Sequence, residues 1–397
     1  MFYYLVIVLI IFLYFYQYPM KINVKLSFGE MHLKEKIPIL ILHPNLTYYS
    51  MLSIWQARQL NDDIHVLYDH KGTIERSCST YLSNKANCSS MISMKLSQLI
   101  ESLHSSQIYF TDLNSKDLQN EVNDFRKAFQ RGNNRTLFDL YHRDKWIYEE
   151  WCAIRWLYAY NYALKRKFDV IYIEDSDVLL YGNMTMEFDY LKPIDVGMIA
   201  SSFRAGSSGH SAIFRLKALR MLIDFMLETW AHRTDVAGYV RSNWVTDMFY
   251  FTHLFEHRNN QMMRRGKGLI IRLLHDVYYA DKYNSSSGRI FDWHAADHFN
   301  QRFSLTKVQH PNIEPGPLKN FTWITDKGEY FNSSSISISH RFPIIYHYEL
   351  QENIRLISLH FHGNKKRFIR FYIQRYIFNN NIDQLLQFNF FSDRTLL

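Results

Sequence analysis

The sequence predicts an α/β protein built on a mainly parallel, Rossmann-like sheet flanked by helices. Three observations predict it. Val170-Ile171-Tyr172-Ile173 is a near-continuous apolar run of strand length, suited to a strand buried on both faces. Residues 37–69 read strand, helix, strand in quick succession, the pattern of a βαβ unit. Tyr148 to Lys167 has apolar residues at three- and four-residue steps, and this helix leads directly into the 170–173 run.

Composition bounds the reading. At 397 residues the chain is long enough to bury a large core. Its 47% hydrophobic and 16% aromatic content belongs to a folded globular protein. The formal charge is +8, with a pI near 9.1. Lys and Arg are scattered, with Lys365-Lys366-Arg367 the densest group, so the charge reads as solvated faces plus a local phosphate site and not as a nucleic-acid surface.

Phe2 to Tyr16 is uncharged and apolar, and reaches membrane-spanning length only with Gln17 to Met20 included. No small-x-small cleavage site precedes Pro19, so residues 1–20 are expected to be an uncleaved signal-anchor. Lys21 and Lys25 follow the apolar run, against the positive-inside rule for a lumenal body. Residues 21–36 form a short connector, 37–370 the main domain and 371–397 a helix or tail. Sequons at Asn45, Asn87, Asn134, Asn183, Asn284, Asn320 and Asn332 fit a secretory compartment. Cys78 and Cys88 are spaced to close a small disulfide loop there, with Cys152 left over and buried in a helix.

Taken in order, Ile37 to Pro44 is a first strand and Tyr48 to Leu60 a helix. Asp63 to Asp69 is a second strand ending in an acid. In sheets of this kind the first strand–helix loop and the end of the second strand commonly hold a nucleotide. Pro44 to Tyr48, with Tyr68 and Asp69, are therefore candidate base and ribose contacts. Residues 71–105 read as surface loop and helix, and Gln107 to Thr111 as a third strand. Arg155 lies on the packing side of the 148–167 helix. A buried arginine needs an acid, so it is expected to pair with Glu150 or to reach a bound diphosphate.

The 170–173 strand ends in Asp175-Ser176-Asp177. On extended backbone, side chains two apart point the same way, which would aim both carboxylates at one divalent cation. Ile194 to Ala200 is a further strand, and Ser207 to Ser211 a small polar turn in which Gly209 permits close backbone approach. A helix covers 217–231. Asp247 stands among Trp244, Phe249 and Tyr250, as a functional acid or a helix cap. Ile344 to Tyr348 is a late strand, followed by the apolar stretch that ends in His360-Phe361-His362-Gly363. An imidazole suits manganese beside carboxylates. Gly363 would admit a phosphate to the backbone, and Lys366 would set a point charge on it.

On the Asp-x-Asp at Asp175 and Asp177 and the His-x-x-Gly-x-x-Lys at His360, Gly363 and Lys366, the chain resembles GT-A fold nucleotide-sugar glycosyltransferases. Its motifs sit nearest the glycogenin-like and related retaining families. The resemblance implies that Asp175, Asp177 and His360 bind manganese or magnesium, and that Lys366 and Gly363 hold the diphosphate of a donor such as a UDP-sugar. It implies that Arg155 contacts the donor, that Ser208 and Gly209 lie near the transferred sugar, and that Asp247 lies near donor and acceptor. The acceptor would be a glycan or glycoprotein hydroxyl, met by a type II Golgi or ER membrane protein. Two departures stand out: Arg367-Phe368 follows the motif lysine where Pro-Trp is usual, and His210 stands where apolar residues are commoner. Two other readings are a sugar-nucleotide pyrophosphorylase, whose Gly-rich basic first loop is absent at 43–47, and a lumenal binding protein that kept the fold without activity.

Overall fold

The computed structural model describes residues 36–81, 85–132, 143–202, 206–231, 247–251, 254, 268–274, 288–290, 321–323, 344–347, 352–361 and 369. The expected anchor, the connector and the C-terminal tail fall outside these residues, apart from Lys36. No helix among the described residues is long and apolar enough to cross a membrane.

The first half of the chain alternates strand and helix. Strands β1 (Ile39–His43), β2 (Ile64–Tyr68), β3 (Ile108–Asp112) and β4 (Val170–Glu174) are separated by α1 (Tyr48–Arg58), α2 (His70–Tyr81), α3 (Lys85–His104), α4 (Val122–Gly132) and α5 (Arg143–Arg166). After β4 come β5 (Val178–Leu180), α6 (Met184–Leu191), β6 (Val196–Ser202), β7 (Gly206–Arg215), α7 (Leu216–Ala231), α8 (Asp247–Phe251) and β8 (Ile271–Leu273). Beyond these lie β9 (Gly288–Ile290), β10 (Phe321–Trp323), β11 (Ile344–His347), β12 (Glu352–Leu356) and β13 (Ser358–His360).

The main sheet has seven strands in the order β3-β2-β1-β4-β7-β6-β8. Four of its six pairings are parallel, and β7 runs against both neighbours. The mixed α/β architecture with a mainly parallel sheet is the predicted one. Apolar runs in β1 and β4 are continuous because both faces are covered. Ile39, Ile41, Val170 and Tyr172 face a core shared with α1, α3 and α6, while Leu40, Leu42, Ile171 and Ile173 face one shared with α4, α5, α7 and α8. A buried capping box starts α1: Thr47 and Ser50 exchange side-chain and backbone hydrogen bonds.

Chain direction makes one crevice special. From β1 the chain moves out to β2 and β3, then returns to the other side of β1 as β4. Strand order reverses between β1 and β4, and ligands of open α/β sheets bind outside the carboxyl ends of the strands at such a point.

Several expectations change in detail. The 71–105 segment is mostly two helices, α2 and α3. Ile92, Leu96, Leu99 and Leu103 recur at helical spacing and are buried, so a periodic signal is present beneath the Ser and Asn. Cys78 joins Cys88 across these helices, with Cα atoms 5.7 Å apart, and Cys152 is buried in α5 as a free thiol. Val122, Phe125 and Phe129 form the buried stripe of α4. Residues 206–211 are strand, not turn, because β7 continues to pair with β6 through register shifts after Met198 and Ala200. Two sequon asparagines serve the fold. Asn183 caps α6 by accepting from the Met186 amide, and its Nδ2 donates to the Leu60 carbonyl at 2.8 Å. Asn45 is placed to donate to the carbonyls of Pro44 and Gly72. The side chains of the other five sequon asparagines lie outside the described residues.

Closing a loop of about ten residues predicts a disulfide contribution of about 3 kcal/mol. Cys78→Ser combined with Cys88→Ser is expected to lower unfolding stability by about that amount in urea titration. Thiol titration of the unreduced, denatured chain is expected to find one free thiol.

Candidate active site at the ends of β1, β2 and β4

The site is built from the turn that follows β4. Val178 N donates to the Asp175 carbonyl at 3.1 Å, so Asp175-Ser176-Asp177-Val178 is a reverse turn between β4 and β5. This corrects the expectation of extended backbone. Asp175 and Asp177 are brought to the site by turn geometry, and they meet different partners.

Asp175 points toward α5. Arg155 Nη1 donates to Asp175 Oδ1, and Arg155 Nη2 donates to Asp247 Oδ2 at 2.8 Å. Arg155 and Asp247 are both 7% exposed. Burial opposes the guanidinium charge, but the two carboxylates outweigh it and hold Arg155 firmly protonated. Burial also raises the Asp175 carboxyl from its ordinary value, with Arg155 opposing the rise and Asp177 adding to it. Glu150, the other expected partner, bonds to Arg126 at 3.1 Å. Five residues along a helix is a rotation of about 140° past a full turn, which puts Glu150 on another face.

Asp247 begins α8, a helix of five residues seated by aromatic packing. Phe251 meets Trp156 edge-on with ring centroids 5.0 Å apart, and Phe214 of β7 packs against both. Trp156 directly follows Arg155. One stretch of α5 therefore supplies both the apolar seat for α8 and the charge for its first residue.

Asp177 turns toward β13. That strand pairs antiparallel with β5, with His360 opposite Val178, and Phe361 N donates to the Asp177 carbonyl at 2.9 Å. The pairing sets His360 Nε2 3.6 Å from Asp177 Oδ1. Hard oxygen and imidazole donors suit a divalent ion, and this pair offers both kinds side by side. Among the described residues no three His, Cys, Asp or Glu side chains form a ready-made cage, and the contact between Asp175 and Arg155 is one reason. Donor chemistry and this pairing fit a metal. A third ligand from Asp175 would require that carboxylate to serve Arg155 and the ion together.

Pro44 and Asp69 lie at the ends of β1 and β2, on the edge of the sheet that carries the acids. Asp69 N donates to the Pro44 carbonyl, and Asp69 Oδ1 accepts from Gly72 N and Asn114 Nδ2, all at 3.0 Å. Asp69 therefore caps α2, and any ribose contact would share that carboxylate. Ser208 and Gly209 run in β7 beyond Ser211, which pairs with Glu174, so their backbone lies beside the acid turn. Gly363 and Lys366 lie outside the described residues.

Three groups near the acids carry no motif. Glu174 is fully buried, and burial raises its pKa well above the carboxylate range; Ser211 Oγ donates to it at 3.1 Å. Burial, with Asp247 adding to it, pushes up the Cys152 thiol. Glu149 is pushed up to about 7 by burial and then by Asp247. Glu149 and Cys152 are three apart on α5, a same-face spacing that would have found them had Asp247 been known to dock there.

No family model matches the chain, and no curated protein matches it. Among solved structures it is similar to a cytidylyltransferase from Leptospira borgpetersenii serovar Hardjo-bovis, at 12% identity and a TM-score of 0.25, covering 52% of this chain and 71% of that one. It is also similar to a glycosyltransferase involved in glycosylation of the major capsid of PBCV-1, at 14% identity and a TM-score of 0.25, covering 60% of this chain and 81% of that one. At that TM-score neither likeness bears on what this chain does.

Two measurements test the cluster. Arg155→Leu removes the charge shared by buried Asp247 and half-buried Asp175 and is expected to cost about 3 kcal/mol in urea unfolding, with Arg155→Lys recovering part of it. For Glu149, the folded state holds a proton that the unfolded state releases between its ordinary value near 4.5 and about 7. Stability therefore falls as pH rises through that window. Glu149→Gln is expected to match the parent melting temperature near pH 4.5 and to exceed it at pH 8.

Proposed function

We propose that the protein is a divalent-metal-dependent glycosyltransferase. It moves a sugar, probed first as a hexosyl group of a UDP-sugar, onto a glycan or glycoprotein hydroxyl. One observation carries the reading: Asp175, Asp177, Asp247, Arg155 and His360 converge from four separate segments beside the switch point of the sheet. The Cys78–Cys88 bridge supports an oxidising lumen, and a signal-anchor at residues 1–20 belongs to the same proposal.

In this reading Asp177 and His360, with Asp175, hold manganese or magnesium. The bound ion supplies Lewis-acid stabilisation of charge on the leaving diphosphate. Lys366 and the backbone at Gly363 take up the same phosphates. Pro44 and Asp69 border the nucleoside, and Ser208 and Gly209 border the sugar. Arg155 orients Asp175 and Asp247, and does so in place of binding the donor directly. Asp247 is ion-paired through Oδ2 with the Arg155 guanidinium, which favours its charged form. That favours a role in stabilising positive charge at the anomeric carbon, the role a retaining course requires. The bond from that carbon to the diphosphate breaks, the acceptor oxygen bonds to it, and the acceptor proton passes to the departing phosphate.

Incubating the purified protein with a panel of UDP- and GDP-sugars, with manganese or with chelator, tests this. Manganese-dependent nucleotide release from one donor is expected, falling at least 100-fold in Asp177→Asn. Tight, metal-dependent nucleotide binding with no release under any acceptor would favour a binding protein. Neither release nor binding from folded protein would sink the metal site.

A further inference from the structure

Among the described residues, the β5–β13 ribbon that joins Asp177 to His360 has two strands. Two-stranded ribbons are marginal by themselves, so something must hold this one in register. In an antiparallel pair, alternate residues direct N–H and C=O to the partner, and the residues between direct both outward. Here the Asp177 carbonyl and the Tyr181 amide bond to β13, through Phe361 N at 2.9 Å and the Ile357 carbonyl at 2.7 Å. Leu180 therefore presents its N–H and C=O on the opposite edge, where a third strand would lie.

A side chain lies there instead. Gln56 of α1, 2% exposed, donates from Nε2 to the Leu180 carbonyl and accepts from Leu180 N at Oε1, both at 2.7 Å. A carboxamide has one donor and one acceptor disposed like those of a peptide unit. It completes the ladder as a one-residue strand. The segment after α1 adds a second attachment: Asn61 donates to the Gly182 carbonyl at 3.0 Å and accepts from Met184 N at 2.9 Å. The same helix begins at the loop following β1, beside Pro44.

We propose that Gln56 is a positioning residue: its carboxamide fixes the backbone of the acid turn and, through β13, the placement of His360 against Asp177. The proposal rests on the reading of these groups as a metal site. Polar partners standing behind metal ligands typically alter affinity by about 10–100-fold when removed. Gln56→Met keeps the side-chain length and deletes both bonds.

The test compares the full-length parent, Gln56→Met and Phe129→Leu, the last a core change on the other face of the sheet. Manganese affinity is read by electron paramagnetic resonance without donor, and hydrogen exchange is read over 176–182 and 356–361. In Gln56→Met, manganese affinity is expected to fall about tenfold or more and exchange in both segments to accelerate. Phe129→Leu is expected to lower the melting temperature while leaving both readouts at parent values. Unchanged manganese affinity in Gln56→Met, even with faster exchange, assigns Gln56 to stability alone and overturns the proposal. A parent that binds no manganese overturns the metal reading itself, and the positioning role falls with it. Should Gln56→Met fail to fold, Gln56→Asn, a neutral carboxamide one methylene too short to reach Leu180, carries the same comparison.

Discussion

The buried guanidinium of Arg155 is the constraint on which the site depends. Asp175 leaves the sheet after β4, and Asp247 opens a short helix 72 residues later in the sequence. Two carboxylates that share one guanidinium repel each other. A fixed cation between them converts that repulsion into two attractions and joins α5, α8 and the acid turn. Such a cluster is not a device for raw stability, because apolar replacements of buried ion groups are often neutral or better. Its value lies in direction. Arg155 offers donors in a planar fork, so each carboxylate is held at a set angle as well as a set distance.

The apolar packing makes that charge arrangement affordable. Trp156, Phe214 and Phe251 form a contiguous aromatic group under the cluster. They exclude water from one side of Arg155 and seat a helix too short to stand alone. On the other side of the acid turn, backbone pairing does the positioning: His360 arrives on β13, which pairs with β5, and β5 is held by the Gln56 amide of α1. The acids thus stand between an apolar and ionic clamp on one side and a hydrogen-bonded ribbon on the other.

How much of this was legible in the sequence depends on whether a signal is local. The runs at Ile39–Leu42 and Val170–Ile173 announce buried strands because burial on both faces leaves no polar position in them. The α5 periodicity is legible for the same reason, and Arg155 stands out within it as a charge that needs an acid. Which acid it meets was not legible: Glu150 is near in sequence but on the wrong face, whereas Asp175 and Asp247 are brought to it by the fold. The acid pair was found through its spacing, although a turn and not an extended strand carries it, and the two side chains meet different partners. Asn183 carries two signals at once. Asn-Met-Thr satisfies a modification pattern, but the same asparagine starts a helix, and a three-residue pattern cannot distinguish the two. Gln56 had no signal at all. A polar residue inside an apolar helix face becomes informative only when the backbone groups it serves, more than 120 residues away, are in view.

The two aspartates of the turn, alike in sequence, are therefore unequal in physics. Asp175 faces a guanidinium that carries its charge at every accessible pH. Asp177 faces an imidazole whose charge depends on pH and whose neutral form is a metal ligand. The first acid is tied to the scaffold by a permanent partner. The second is set beside the His360 imidazole. A site of this kind gains from the asymmetry. If both acids were tied to arginines, their charges would be committed before any ion arrived. If neither were tied, like-charge repulsion would splay the turn and leave the geometry to be made by the ion. In the proposed metal site, a carboxylate tied to Arg155 and a carboxylate beside His360, held in register by the Gln56–Leu180 bonds, keep the turn formed.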